Sequence, residues 1–349
     1  MGSTSRLLLV LVVGCLSSSL FAAAEADGGY MRVIAGTGEA GFEDGSPGRF
    51  NKPIRLAPYG EGAVLVADIF NHAIRLVTID GEVTTVSGGP DRKGFENGSA
   101  ETARFASPHG VAVSRDGLIA VAEAENQTIR LLTPVIDPVD SGPTSYVVST
   151  LAGVPGAGGM KDGPAGEAEF RSPHAVAWTP QGDLLVADIG NARIRRVSSG
   201  SVRTAAGSGA EGRQDGNGAE ASFHYPMDLA LATDGTLWIA DAGSHTVRSL
   251  DSEGFVSTLE LGSPIDTPHG IAVGPDGTLY LAEMGTHRIL AVSPDGAVTT
   301  VCGTGEAGSG PGQLNRPAAV LVHDGVVWVA DLDNHRIVVC ELAASNEDP

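Results

Sequence analysis

Nine histidines are spread through the 349 residues, and three of them share one context. Pro108-His109, Pro173-His174 and Pro268-His269 each open an apolar stretch. Imidazoles placed alike on successive elements can converge, and three of them with one water would complete a zinc tetrahedron. The equivalent position after Pro53, Pro226 and Pro317 holds Ile54, Met227 and Ala318, and the next position holds Arg55 and Asp228 in two copies. A purely structural position would carry one apolar type throughout. This mixture of imidazole, cation, anion and apolar group therefore marks His109, His174, His269, Arg55 and Asp228 as ligand-binding residues. No cofactor is expected apart from a zinc or calcium ion at the histidine trio.

Other reactive-looking residues have plainer readings. Asp68, Glu123, Asp188, Asp241, Glu283 and Asp331 each end an apolar run. An acid at a strand end before a tight turn is expected to accept N–H bonds from that turn. Arg75, Arg130, Arg195 and Arg248 recur with them and read as solvated or blade-bridging charge. Three segments match Gly-x-Gly-x-x-Gly, beginning at Gly36, Gly207 and Gly303. A dinucleotide site would need each to follow a strand and open a helix, and none does, so they read as glycine-rich connections.

The elements that carry these residues come from a repeat. The prolines at 53, 108, 173, 226, 268 and 317 are spaced by 55, 65, 53, 42 and 49 residues, and each acid follows its proline by 14 or 15. Constant internal and variable external spacing mean one structural unit joined by loops of different length. In the third copy the strands fall near 175–178, 183–187, 194–197 and 202–206, an antiparallel meander with turn dipeptides between. Six such units predict an all-β fold, a six-bladed β-propeller of four-stranded antiparallel blades. The repeats lie near 50–104, 105–169, 170–222, 223–264, 265–313 and 314–342 within a single domain, residues 25–349. Residues 30–36 resemble a fourth strand, and the chain stops after a third one, so the N-terminal strand should close the ring. In this meander the loop into strand one and the turn after strand two share a face. Eight of the nine histidines lie there, and His323 lies on the other. In blade two, residues 133–145 form an insertion between strands three and four.

Residues 66–75 (VADIFNHAIR), 186–195 (VADIGNARIR) and 329–337 (VADLDNHRI) resemble the NHL repeat. The resemblance runs from about residue 30 to 342 and implies a six-bladed propeller. The Pro-His pattern also resembles the propeller of the peptidyl-amidating lyases, which implies zinc held by histidines after a proline. Those lyases place an Arg directly after a strand-closing Asp, whereas Ile69, Ala124, Ile189, Ala242, Met284 and Leu332 stand there in this chain.

Residues 1–24 read as a signal peptide: Arg6, then an apolar run from Leu7 to Phe21, then Ala22-Ala23-Ala24. The chain is thus expected to be secreted, or periplasmic in a bacterium; a second reading anchors it by lipid on Cys15. Asn97 and Asn126 head glycosylation sequons for a eukaryotic source. Cys302 and Cys340 either pair or serve as small buried residues. With 22 Lys plus Arg against 42 Asp plus Glu, the net charge of −20 excludes a nucleic-acid partner and disfavours anionic membranes. No stretch after the leader is long enough to insert into a membrane. The expected protein is a monomeric, non-enzymatic platform that presents its loop face and channel mouth to a protein or glycan. The alternative is a zinc-dependent lyase or hydrolase.

Overall fold

The computed structural model describes residues 24–26, 29–136 and 143–342. Residues 1–23 of the expected leader, Cys15 among them, lie outside these. Six antiparallel sheets follow one another in chain order around a ring. Blade one is built from Pro53–Pro58, Ala63–Asp68, Ala73–Thr78 and Val83–Gly88. Blades two to five open at Pro108, Pro173, Pro226 and Pro268. Blade six combines Pro317–His323, Val326–Asp331 and Arg336–Glu341 with Gly29–Ala35 from the other end of the chain. The N-terminal strand therefore closes the ring as expected. Ala24–Ala26 adds a further strand outside it.

The second strands read AVLVAD, IAVAE, LLVAD, LWIAD, LYLAE and VVWVAD, nearly unbroken apolar runs. Both faces of such a strand must be buried. The apolar side chains accordingly gather in six clusters, each centred between two neighbouring blades, the one between blades one and two also reaching Met284, Ala318 and Leu332 at the axis. The molecule thus has six seams rather than one core, and its stability depends on keeping adjacent blades in contact.

The seams are held in two further ways. Short segments ahead of blades two, three and four (Gly98–Ser99, Gly163–Pro164 and Gly216–Asn217) pair with those blades' outer strands and cover their edges. Cys302 in the outer strand of blade five is disulfide-bonded to Cys340 in blade six, which resolves the two readings of these residues. The bond closes a 38-residue span, and both sulfurs sit inside the seam. Replacing both cysteines by alanine is expected to cost about 2–4 kcal/mol. Urea unfolding of the oxidised protein and the variant measures this, and equal midpoints would show that packing alone holds the seam.

The described part of the blade-two insertion is strand, and residues 137–142 lie outside the described residues. Thr128–Ile136 and Pro143–Ala152 remain paired out to Ile136 and Pro143, lengthening the blade on the face opposite the histidines. The three glycine-rich segments are connections, as expected. Gly36, Gly207 and Gly303 have φ of +97°, +102° and +94°, and a Cβ on any of them would lie within 2.5 Å of a carbonyl oxygen.

Candidate site at the channel mouth

Each blade repeats one charge cluster, its arginine buried in all but blade five, which sets the frame for the mouth. In blade one, Asp68 accepts the N–H of Asn51 at 2.7 Å, the Asn71 amide at 2.7 Å and Nη1 of Arg75 at 3.0 Å. In blade two, Glu123 takes the same role toward Ala106, Asn126 and Arg130. The backbone N–H each acid accepts therefore comes from the loop 17 residues upstream, while its own turn contributes the side-chain amide of Asn71 or Asn126. Arg75, Arg130, Arg195 and Arg248 are completely buried, so the expectation of solvated charge fails. Each guanidinium also reaches an upstream Asp or Asn (Asp44, Asn97, Asp162 or Asp215) and lies over a phenylalanine ring, Phe50, Phe105, Phe170 or Phe223. A charge can be buried here because oxygen acceptors surround it. Burial pushes Asp68 and Asp241 up to about 6 against the pull of these donors.

The same cluster occupies one glycosylation sequon. Nδ2 of Asn126 donates to Gly94 at 2.9 Å and to Glu123 at 2.8 Å, and Thr128 is fully buried. In the folded protein the Asn126 amide is thus engaged in the cluster. Asn97 is exposed, with Oδ1 on Arg130 and Nδ2 on the Thr150 hydroxyl at 3.2 Å.

At the axis, the innermost strands bring the five sequence-predicted residues together. Blades one and four stand opposite in a ring of six, and Arg55 and Asp228 form an ion pair across the channel. Arg55 also donates from Nη2 to the Met227 carbonyl at 2.9 Å. Asp228 accepts the N–H groups of Leu229 at 2.8 Å and Ile271 at 2.9 Å. Both side chains are buried, each residue 5% exposed. Burial pushes the Asp228 carboxyl up and the Arg55 guanidinium down, and each charge pulls the other back toward ionisation.

The histidines surround this pair. His109 and His174 are adjacent, their ring centres 4.0 Å apart, and both are half-buried. His269 is buried on the other side. Each uses Nδ1 on a backbone carbonyl: His109 on Ser107 at 3.0 Å, His174 on Ser172 at 2.8 Å and His269 on Ala318 at 2.8 Å. A carbonyl can only accept, so Nδ1 carries the proton and Nε2 presents a lone pair. Burial lowers His109 to about 4 and His269 to about 3, with Arg55 adding to the shift, and holds His174 well below its ordinary value. All three are neutral at pH 7. Gly110 allows this packing, since a Cβ there would lie 2.3 Å from the His174 carbonyl oxygen.

Zinc or calcium was the sequence expectation for the trio. Among the described residues no three His, Cys, Asp or Glu side chains gather as a metal-binding group. The Arg55 guanidinium beside them adds to the lowering of all three imidazoles and would oppose a dication there. What the mouth offers is a set of neutral hydrogen-bond acceptors above a channel crossed by an ion pair. It is open at His109, His174 and Met227 and closed at Ile54, His269 and Ala318.

Of the five remaining loop-face histidines, which the sequence placed only by position, four hold blades to one another. His72, His245, His287 and His335 each accept, at Nδ1, a backbone N–H from the next blade. Their recurrence four residues after the acid was the available signal. His323, on the opposite face, bonds the Gly60 carbonyl at 2.8 Å.

Comparison with known proteins agrees with this architecture. The NHL repeat family matches residues 105–130. NHL repeat-containing protein 2 of Gallus gallus is 28% identical over 353 residues, covering 85% of this chain and 47% of that protein. The chain thus spans less than half the length of that relative. A protein of unknown function from Bacteroides thetaiotaomicron superposes with a TM-score of 0.66 at 16% identity, covering 92% of this chain and 84% of the other. A gluconolactonase from Xanthomonas campestris does so with a TM-score of 0.60 at 12% identity, covering 92% and 97%. At such identities the structural likeness speaks for the fold alone. With its repeated acid-turn-basic segments, its six blades and these matches, the chain is an NHL-repeat β-propeller.

Proposed function

We propose that this propeller is a secreted, non-enzymatic binding platform whose loop face and channel mouth hold a protein or glycan. The observation that carries the reading is the mouth itself, an asymmetric shelf above a channel crossed by the Arg55–Asp228 pair. The imidazole Nε2 atoms of His109 and His174, on its open side, suit the hydroxyl or amide donors of such a partner. Phe70 and Tyr225 add aromatic surface on the same face, 53% and 45% exposed, of the kind that anchors interfaces. The Cys302–Cys340 bond is consistent with an oxidising compartment.

The test is direct binding to a glycan array and to extracellular-matrix proteins, followed by H109A/H174A and F70A/Y225A variants. Loss of binding by about tenfold or more, with melting within a few degrees of wild type, is the expected result. Unchanged binding by both variants would place the partner elsewhere. The alternative zinc lyase or hydrolase draws support from the free Nε2 atoms and from hydrolase neighbours such as the gluconolactonase. Stoichiometric zinc in the purified protein, lost with H109A/H174A, would favour it over the platform.

A further inference from the structure

We propose that His72 and His335 are acid-released latches, joining blade one to its two neighbours while neutral and letting those two seams slacken when protonated. The geometry repeats around the ring. The residue before each blade-opening proline has a left-handed backbone: Lys52, Ser107, Ser172, Tyr225, Thr267 and Arg316, with φ between +50° and +64°. This is an unfavourable conformation for a residue with a Cβ, so something must hold it. In four seams the holder is a histidine of the preceding blade. Nδ1 of His72 accepts the Ser107 N–H at 3.2 Å, and His245 that of Thr267 at 3.1 Å. His287 accepts from Arg316 at 3.0 Å, and His335 closes the ring by accepting from Lys52 at 3.1 Å.

An Nδ1 that accepts an N–H must be unprotonated. Adding a proton there sets N–H against N–H and removes the bond. The protein contains its own control. In the seam between blades two and three the same position is Gln127, whose Oε1 accepts the Ser172 N–H at 2.7 Å and does not titrate in this range. Between blades three and four it is Ala192, which offers no side-chain acceptor.

The charges facing the four histidines differ. His72 faces Lys93 and Glu125, which pair with each other at 2.7 Å, and His335 faces Lys52 and Asp333. His245 has the Asp266 carboxylate 3.0 Å from its Nδ1 and shares a cleft with Arg213 and Glu260. His287 lies next to Thr286 and Arg288 and bonds the backbone of Arg316. Burial lowers His72 and His335 from 6.5, with the lysine adding to the effect. A base whose folded pKa is depressed contributes stability that is complete above its unfolded value. That contribution is lost as the pH falls through 6.5 toward the folded value. Blade one, which carries Arg55, is latched on both sides, by His335 and His72. Blades five and six keep their disulfide.

Amide hydrogen exchange on the full-length oxidised protein tests this. Between about pH 7.5 and about pH 4.5, protection corrected for intrinsic rate should fall about tenfold at Ser107 and Lys52 and stay constant at Ser172. H72Q should retain protection at Ser107, and H335Q at Lys52, because glutamine already performs this role at position 127. Equal losses at Ser107, Lys52 and Ser172 would overturn the proposal, as would Gln variants as acid-sensitive as wild type. If one variant does not fold, the other, together with the wild-type comparison of Ser107 with Ser172, still decides.

Discussion

Replacing Arg130 by methionine is expected to cost about 3–5 kcal/mol, near the limit for one substitution. The arginine is fully buried. Nη1 donates to Glu123 and to the Arg104 carbonyl, each at 2.9 Å, and Nη2 donates to the Glu96 carbonyl and Asn97, each at 2.7 Å. Methionine would keep part of the contact with Phe95 and Phe105 but would strip Glu123 of its counter-charge inside the seam. Burial already pushes that carboxyl up, so in the variant it would take up a proton more readily still. The comparison is Arg288 in blade five, paired with Glu283 at 2.9 Å but with a side chain 34% exposed. Arg288→Met should cost less than about 1–2 kcal/mol, because water can replace the lost partner. Urea unfolding at neutral pH gives both values. Equal costs would show that burial is not what makes the blade-two cluster matter.

The second large effect concerns the pair across the channel. Arg55→Met and Asp228→Leu should each cost about 3–5 kcal/mol, since each leaves one buried charge without its partner. The double variant should cost about 1–3 kcal/mol, less than either single change, because no charge is then stranded. A residual cost remains because Asp228 also accepts the N–H groups of Leu229 and Ile271, which leucine would leave unbonded. A double-mutant cycle in urea measures the coupling. If the two costs simply add, the residues do not depend on each other, and the channel is not held shut by this contact. A coupling of the expected size would explain why one cation and one anion appear at a position that is glycine or alanine in the other blades. The ring order makes blades one and four face each other, so the two charges need each other's position.

The sequence by itself determined the architecture. Proline-to-acid intervals of 14 or 15 residues and the strand-like residues 30–36 define six blades and their closure, because strand length and turn chemistry are local properties. It also singled out the five residues of the mouth, since a repeat makes its own exceptions visible. Burial is what the sequence could not supply. Arg130 reads as a surface charge in its own strand, and only packing of blade two against its upstream loop surrounds it with Glu123, Glu96 and Asn97. Arg55 and Asp228 are 173 positions apart, so their pairing depends on ring closure. The same holds for the histidines: type and spacing allowed zinc, but the Arg55 guanidinium among them opposes a dication. Hydrogen bonding within a strand follows from neighbours along the chain, whereas the dielectric and charge around a side chain depend on groups that only the folded ring brings near it.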